Sequence, residues 1–284
     1  MEVQVDGIGS SPVPTNKSPP TADESTSISN LRSILATTLD LPHIKKYGSL
    51  THDWFLLRFI RGYNQNVEEA AKAYIAMSSF RLENDVASLT DELLRIESET
   101  GVLPYPYELE SFKELRECLG KDGLMLVGGG EDRNGNLITS VDVGSYDLRK
   151  VMKHNLCDIL MRGSFALDAY FNLVLHRKSC ELNKLYMRHD LLNVASIGFF
   201  QFTPAALRLM LKIMNTQKHY PESTARITSC GNTAAAVLLY NKIIRPFVPK
   251  RVTDKVAVLG KKFTTKLLED VEEGEMPEGY LSAR

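Results

Sequence analysis

From residue 124 onward, short apolar runs alternate with longer segments of helical periodicity. No other feature constrains the fold as tightly. "LITSVDV" has the spacing of a strand, residues 147–178 that of one or two helices, and "LYMRHDL" that of a strand again. Residues 203–219 read as a helix that Thr203 caps, with Pro204 at its first position, where its missing N–H costs nothing. "ARITSC" is a strand, residues 233–248 a helix, "KVAVLG" a strand and "KFTTKLLEDV" a helix. Parallel neighbours need a long crossover and helices supply it, so this alternation predicts an α/β domain: a mostly parallel sheet floor with covering helices. At its start, "LMLVGGGEDRNGNLITSVDV" places Asn134-Gly135 between two apolar runs, a strong turn signal.

The upstream part is different. Trp54, Leu57, Phe59 and Ile60 have amphipathic-helix spacing. Asn66 caps a second helix, with Glu69 where a capping box needs it, and Ala70, Ala73, Tyr74, Met77 and Phe80 form its apolar stripe. Folded structure is expected to begin at "SNLRSILATTL", with Ser29 or Asn30 as N-cap. Residues 1–27 are rich in Ser, Thr, Pro and Gly and hold no aromatic residue, which predicts a disordered tail. The expected organisation is a tail at 1–27, an all-helical lobe at 28–120 and the α/β domain at 121–284.

Composition narrows the function classes. A net charge of -1 gives no global field for nucleic acid. No apolar run approaches the ~18 residues of a membrane span, and the N-terminus lacks the basic and apolar regions of a signal peptide. Four cysteines, Cys118, Cys157, Cys180 and Cys230, form no C-x-x-C pair, and are expected to be reduced and mostly buried in a cytoplasmic monomer. His154, His176, His189 and His219 show no metal-ligand spacing, so no metal is expected. "VGGGEDRNG" leads into a turn and a strand, not a helix N-terminus, so it reads as a turn and not a phosphate loop. Asp190 after His189 reads as a turn-stabilising carboxylate at a strand end. Without a G-x-S-x-G elbow or a cofactor fingerprint, no catalytic residue is assigned and no enzyme is expected.

The segment "TAAAVLLYNKIIRPFVPK" is apolar almost all round. Such a helix is fully buried or covers something greasy. Between Lys242 and Lys266 lie eight basic residues against Asp254 alone. A basic run beside an apolar helix suits transient contact with an anionic membrane surface, and Lys250, Arg251, Lys261 and Lys262 are the candidates; a solvated face without a partner is the alternative.

"DWFLLRFIRGYNQNVEEA" resembles the L-L-R-F-L-R-x-x-x-x-x-V-x-x-A signature that opens CRAL-TRIO proteins. "EDRNGNLITSVDVGSYD" is similar to that family's D-x-x-G-R-P-V strand. "YPESTARITSCGNTAAAVLLYNKIIRPFVPKRVTDKVAVLG" is similar to its Y-P-E … I-N-x-P … I-K-P-F-L … K-I-x-V-L-G block. The order is right, and the match covers about 30–280. The resemblance implies a non-enzymatic lipid-binding protein. It would hold one hydrophobic ligand, such as a phospholipid, tocopherol or retinaldehyde, between the sheet floor and a mobile gate helix. No other cofactor is implied. The gate is then the apolar segment, with Gly231 loosening its start and Pro246 and Pro249 stiffening its end. Alternation and helical spacing put Ile138, Ser140, Tyr186 and Ser229 on the pocket floor, Phe199 and Phe202 beside it, and Val237, Leu238, Leu239, Tyr240, Ile243, Ile244 and Phe247 on the gate.

Phosphatidylinositol-binding members carry a carboxylate after Tyr-Pro and a lysine before the last V-L-G, which resemble Glu222 and Lys255. A carboxylate accepts from inositol hydroxyls and a cation pairs with phosphate. Two further headgroup positions depart: Tyr63 stands where those members have a basic residue, and Val252 where they have threonine. "TSCGNTA" lacks the family proline, and the closing Tyr-Gly-Gly is absent from "MPEGYLSAR". Asn193 stands where the family has glycine after the second strand. Two functions follow: lipid transfer or presentation between membranes with peripheral membrane association, or a regulatory protein that keeps the fold without exchange.

Overall fold

The computed structural model describes residues 17–120, 126–143, 147–195, 203–233, 237, 240–247, 250–277 and 280 of the 284-residue chain, with the backbone alone at 126–129, 243, 244 and 247. The helical lobe comprises α1 (Ala22–Ile34), the single turns α2 (Ala36–Leu39), α3 (Pro42–Lys45) and α4 (Gly48–Thr51), then α5 (Asp53–Gly62), α6 (Val67–Glu83), α7 (Val86–Thr100) and α8 (Lys113–Leu119). The first helix starts earlier than residue 28. Thr21 is its N-cap and forms a full capping box with Glu24, which satisfies two free helix N–H groups. The structured chain reaches further back still, since Leu185 N donates to the Lys17 carbonyl at 2.8 Å. Residues 17–27 are therefore ordered, against the expected tail, and residues 1–16 of that tail lie outside the described residues. The Asn66 cap is as expected, accepting from Glu69 N at 3.1 Å.

Five strands form one sheet in the order β1 (Leu126–Glu131), β2 (Leu137–Asp142), β3 (Arg188–Asn193), β4 (Thr224–Cys230), β5 (Val256–Val258). β1 is antiparallel to β2 and the other pairs are parallel. The hairpin turns at Gly135 (φ 67°), and the Asp132 carboxylate accepts the N–H groups of Asn134 and Asn136, both at 2.9 Å. α9 (Leu148–Lys153) and α10 (Cys157–Leu182) connect β2 to β3, and α11 (Pro204–Thr216) connects β3 to β4. Thr203 caps α11 by accepting from Ala206 N. Beyond the gate segment come α12 (Lys250–Thr253), β5 and α13 (Thr264–Leu267), the last far shorter than the helix expected over 262–271.

α10 is the central beam. At 26 residues it is about 39 Å long, and it packs on α4, α5 and α7 of the lobe as well as on α9 and α11. Asn183, in the left-handed region at φ 46°, ends it. The lobe is not a separate body: its core of Leu56, Leu57, Phe59 and Tyr74 takes in Leu185, Met187, Tyr220 and Ala225 from the entries to β3 and β4.

The pleat assigns the two faces of the sheet. Leu137, Thr139 and Val141 share a face with Arg188, Asp190 and Leu192, and this face meets α10, where Arg188 lies 4.0 Å over the Phe171 ring. Ile138, Leu191 and Cys230 point the other way and pack against Phe263, Leu267, Val271 and Tyr280. Burying each such side chain stabilises by about 2 kcal/mol, so the C-terminal segment is held by what it covers and not by its one-turn helix. His189 and Asp190 both lie inside β3, which corrects the turn reading of Asp190. A strand buried on both faces must pair its polar groups. Asp190 accepts from Thr139 Oγ1 (2.6 Å) and Thr224 Oγ1 (3.1 Å), while His189 bonds Asp132 (3.0 Å) and Thr228 (2.8 Å) on the opposite face. Asn193 is likewise a strand residue, outside the left-handed region.

Candidate functional site

The α10 face of the sheet changes character along the strands. Near the strand entries Leu137 and Arg188 are covered by α10. Toward the carboxyl ends, Val141, Leu192, Ile227 and Ser229 are only half-buried. Leu209, Met210 and Ile213 of α11 are also half-buried, packed at the edge of the same core. A closed core would remove these side chains from water at roughly 1.5–3 kcal/mol each. Here they are left half-open at the carboxyl ends of the parallel strands, the end at which open α/β sheets generally hold ligands.

The expected pocket floor is only partly on this face. Ser229 is. Ile138 and Ser140 lie on the opposite face, Ile138 within the core that the C-terminal segment covers, so neither shares a wall with Ser229. The reason is parity: a one-residue step moves a strand side chain to the other side. Tyr186 precedes β3, is buried in the α10 core, and its hydroxyl donates to Glu131 at 2.8 Å. Phe199, Phe202, Leu238 and Leu239 lie outside the described residues.

In the gate segment, Val237 N donates to the Thr233 carbonyl and Val237 is buried, while Tyr240 is half-buried. Tyr240–Ile244 winds as a π-helix and Arg245–Phe247 as a 3₁₀ turn, so the regular helix expected through Ile243, Ile244 and Phe247 is not formed there. Pro246 has no N–H for the Lys242 carbonyl and its ring crowds that group, which breaks α-winding. Gly231 (φ 78°) is held tightly and is not loose: a Cβ there would lie 2.6 Å from that of Ala195. Next to it, the Asn232 amide donates to the carbonyls of Ser229 (2.8 Å) and Leu259 (3.0 Å), fixing the start of the apolar segment between β4 and β5.

The two headgroup candidates are brought together. Lys255 Nζ lies 2.9 Å from Glu222 Oε1 and 2.8 Å from the Thr224 carbonyl. Their side chains are 16% and 11% exposed, so the pair works in a medium far less screening than water. Glu222 holds a left-handed backbone at φ 52°, unusual for a side chain of its size. Buried Arg58 of α5 fixes that conformation by donating to the Glu222 carbonyl and, at 2.6 Å, to the Tyr186 carbonyl. Burial pulls the Arg58 guanidinium down to about 10, against the pull of Glu222, so it is charged at neutral pH. The chemistry on offer is one carboxylate for hydroxyl donors and one ammonium for a phosphate.

A family model, the CRAL/TRIO domain, matches residues 121–280. The chain belongs to the CRAL/TRIO family. Among curated proteins, this CRAL/TRIO chain is 26% identical over 231 residues to the phosphatidylinositol/phosphatidylcholine transfer protein SFH12 of Arabidopsis thaliana. It is 22% identical over 231 residues to SFH9, a transfer protein of the same description and organism. Each match takes in 78% of the chain but only 38% and 36% of the relative. Among solved structures, the crystal structure of Sfh5 has the same fold, with a TM-score of 0.62 at 15% identity, covering 88% of this chain and 83% of that one.

Within this CRAL/TRIO chain the basic candidates divide. Lys250, Lys261 and Lys262 are exposed, Lys250 pairing with Asp254 at 2.6 Å. Arg251 is not a free surface cation. Its guanidinium lies 4.7 Å over the Tyr63 ring and donates to the Gly62 carbonyl at 3.2 Å. It thus brings a cation to the place where the resemblance asks for a basic residue and the sequence has Tyr63. Sequence reading missed this, since the two residues are far apart in the chain. The cysteines are also more open than expected: among the four, Cys230 is buried, Cys118 and Cys157 are half-buried and Cys180 is exposed. Cys180 stands beside His176 and His52, a grouping whose only linear signal is the four-residue step from His176 to Cys180. No helix among the described residues is long and apolar enough to cross a membrane.

Proposed function

We propose that this chain binds one phospholipid in the cleft between the α10 face of the sheet and the gate segment, and moves or presents it between membranes. The observation that carries the reading is the half-buried Glu222–Lys255 pair, which sits in one domain with a half-open apolar wall. Val141, Leu192, Ile227 and Ser229 form the floor, Leu209, Met210 and Ile213 one side, and Val237, Tyr240, Ile243 and Ile244 the gate. An acyl chain in water costs roughly 0.8 kcal/mol per CH₂, so a carrier must enclose it and open only at a membrane. The relatives' descriptions name phosphatidylinositol and phosphatidylcholine. Glu222, Lys255 and the nearby Arg251 supply the acceptor and cations that an inositol phosphate requires. Exposed Lys250, Lys261 and Lys262 beside the gate favour docking on an anionic surface.

The test is transfer of labelled phosphatidylinositol and phosphatidylcholine between vesicles. Saturable, protein-dependent movement of either lipid supports the proposal. A folded chain that binds vesicles and exchanges neither lipid would instead favour the regulatory reading.

A further inference from the structure

We propose that His52, His176 and Cys180 form a site for one borderline-soft divalent cation, zinc above all, that ties the start of α5 to α10. His176 and Cys180 are one turn apart on α10, so they share a face of that helix. His52 arrives from the other side, as the N-cap of α5. Cys180 Sγ lies 3.9 Å from His52 Nε2 and 3.7 Å from His176 Nε2, and the three ligand atoms all lie within 4.8 Å of one another. A tetrahedral zinc bound by one thiolate and imidazole nitrogens holds its S and N ligands about 3.5 Å apart, so small side-chain adjustments close the site. Thiolate with imidazole is the donor set that selects zinc over magnesium or calcium. The fourth position faces solvent, since His52 and Cys180 are exposed. The site would clamp the lobe to the central helix, where Asn172 already bonds Ser49 at 3.1 Å.

Binding changes no oxidation state. The Cys180 thiol releases its proton to solvent. The His52 Nδ1 atom accepts from Trp54 N at 3.2 Å, so its ring proton is on Nε2. That proton must move to Nδ1 before Nε2 can ligate, and the cap bond is given up. His52 is therefore the weakest of the three ligands.

Tag-free, reduced, metal-free protein is titrated with zinc against a chromophoric chelator, and separately with cobalt(II). The expected results are one equivalent bound, a thiolate-to-cobalt charge-transfer band and a raised thermal midpoint. Cys180→Ser, conservative and exposed, should abolish the band and weaken zinc binding by more than about tenfold, at least the loss seen when an outer partner of a ligand is removed. His52→Asn retains an N-capping side chain and should weaken binding by a smaller factor. No stoichiometric binding, or unchanged affinity in Cys180→Ser, would overturn the site. Unchanged affinity in His52→Asn would overturn the bridge between α5 and α10.

Discussion

Lys255 and Glu222 neutralise each other at 2.9 Å, and Lys255 spends a second donor on the Thr224 carbonyl at 2.8 Å. On the proposed function a headgroup would enter a pair already closed on itself, trading one charge-assisted bond for bonds to its hydroxyls and phosphate. If it does, Lys255→Ala removes the phosphate partner and leaves Glu222 repelling the anion. Phosphatidylinositol binding should fall by roughly 10- to 100-fold, the 1.5–3 kcal/mol of a charged hydrogen bond. Phosphatidylcholine, with its own quaternary ammonium, should be far less affected. Competition between the two lipids in vesicle transfer measures the ratio; equal loss of both would remove the pair from headgroup recognition.

Arg58 links the helical lobe to this pair by holding the Glu222 and Tyr186 carbonyls. Arg58→Met keeps the packing volume but strips the buried Tyr186 and part-buried Glu222 carbonyls of their donor. We expect a loss of about 3 kcal/mol in urea unfolding. Phosphatidylinositol binding should also weaken, because Glu222 would relax from its left-handed backbone. Unchanged headgroup preference in a folded Arg58→Met protein would show that this conformation does not matter.

Asp168 is buried on α10 and accepts from Gln217 Nε2 at 3.0 Å. It borders a small cavity that Arg58, Phe171, Arg188 and Tyr220 also line, of about 20 Å³, water-sized and too small for a lipid. Burial raises its carboxyl to about 6, despite the opposing pull of Arg188. The folded state therefore holds this proton more tightly than the unfolded chain, whose carboxyl stays near 3.8. Its contribution is favourable below about pH 4 and is lost as pH rises through 6, by up to about 3 kcal/mol. Asp168→Asn should be the more stable protein at pH 7, and its advantage should vanish toward pH 4. Parallel urea midpoints across that range would show that Asp168 titrates normally.

Much of the sheet was legible because a period of two alternating with a helical period leaves few topologies. Which side chain lies on which face was less so. Both parities of β2 are apolar enough to be buried, so no local pattern says that the C-terminal segment covers the face of Ile138 and not that of Val141. Thr21 and Glu24 formed a readable capping box that the Ser- and Pro-rich surroundings outweighed. Glu222 and Lys255 were found through the family block alone. Arg251 over Tyr63, and His52 beside Cys180, join residues more than a hundred positions apart, which no local pattern encodes. The break in α-winding at Tyr240–Ile244 has its signal in Pro246, which ends regular helix as well as stiffening the segment.

Lipid carriage is tested most directly by native mass spectrometry of the chain isolated from cells and then incubated with mixed phosphatidylinositol and phosphatidylcholine vesicles. The expected result is one phospholipid mass per chain, exchanged on incubation and lost in a folded Ile243→Asp variant. A chain that emerges empty, stays empty after incubation and is otherwise native would contradict it.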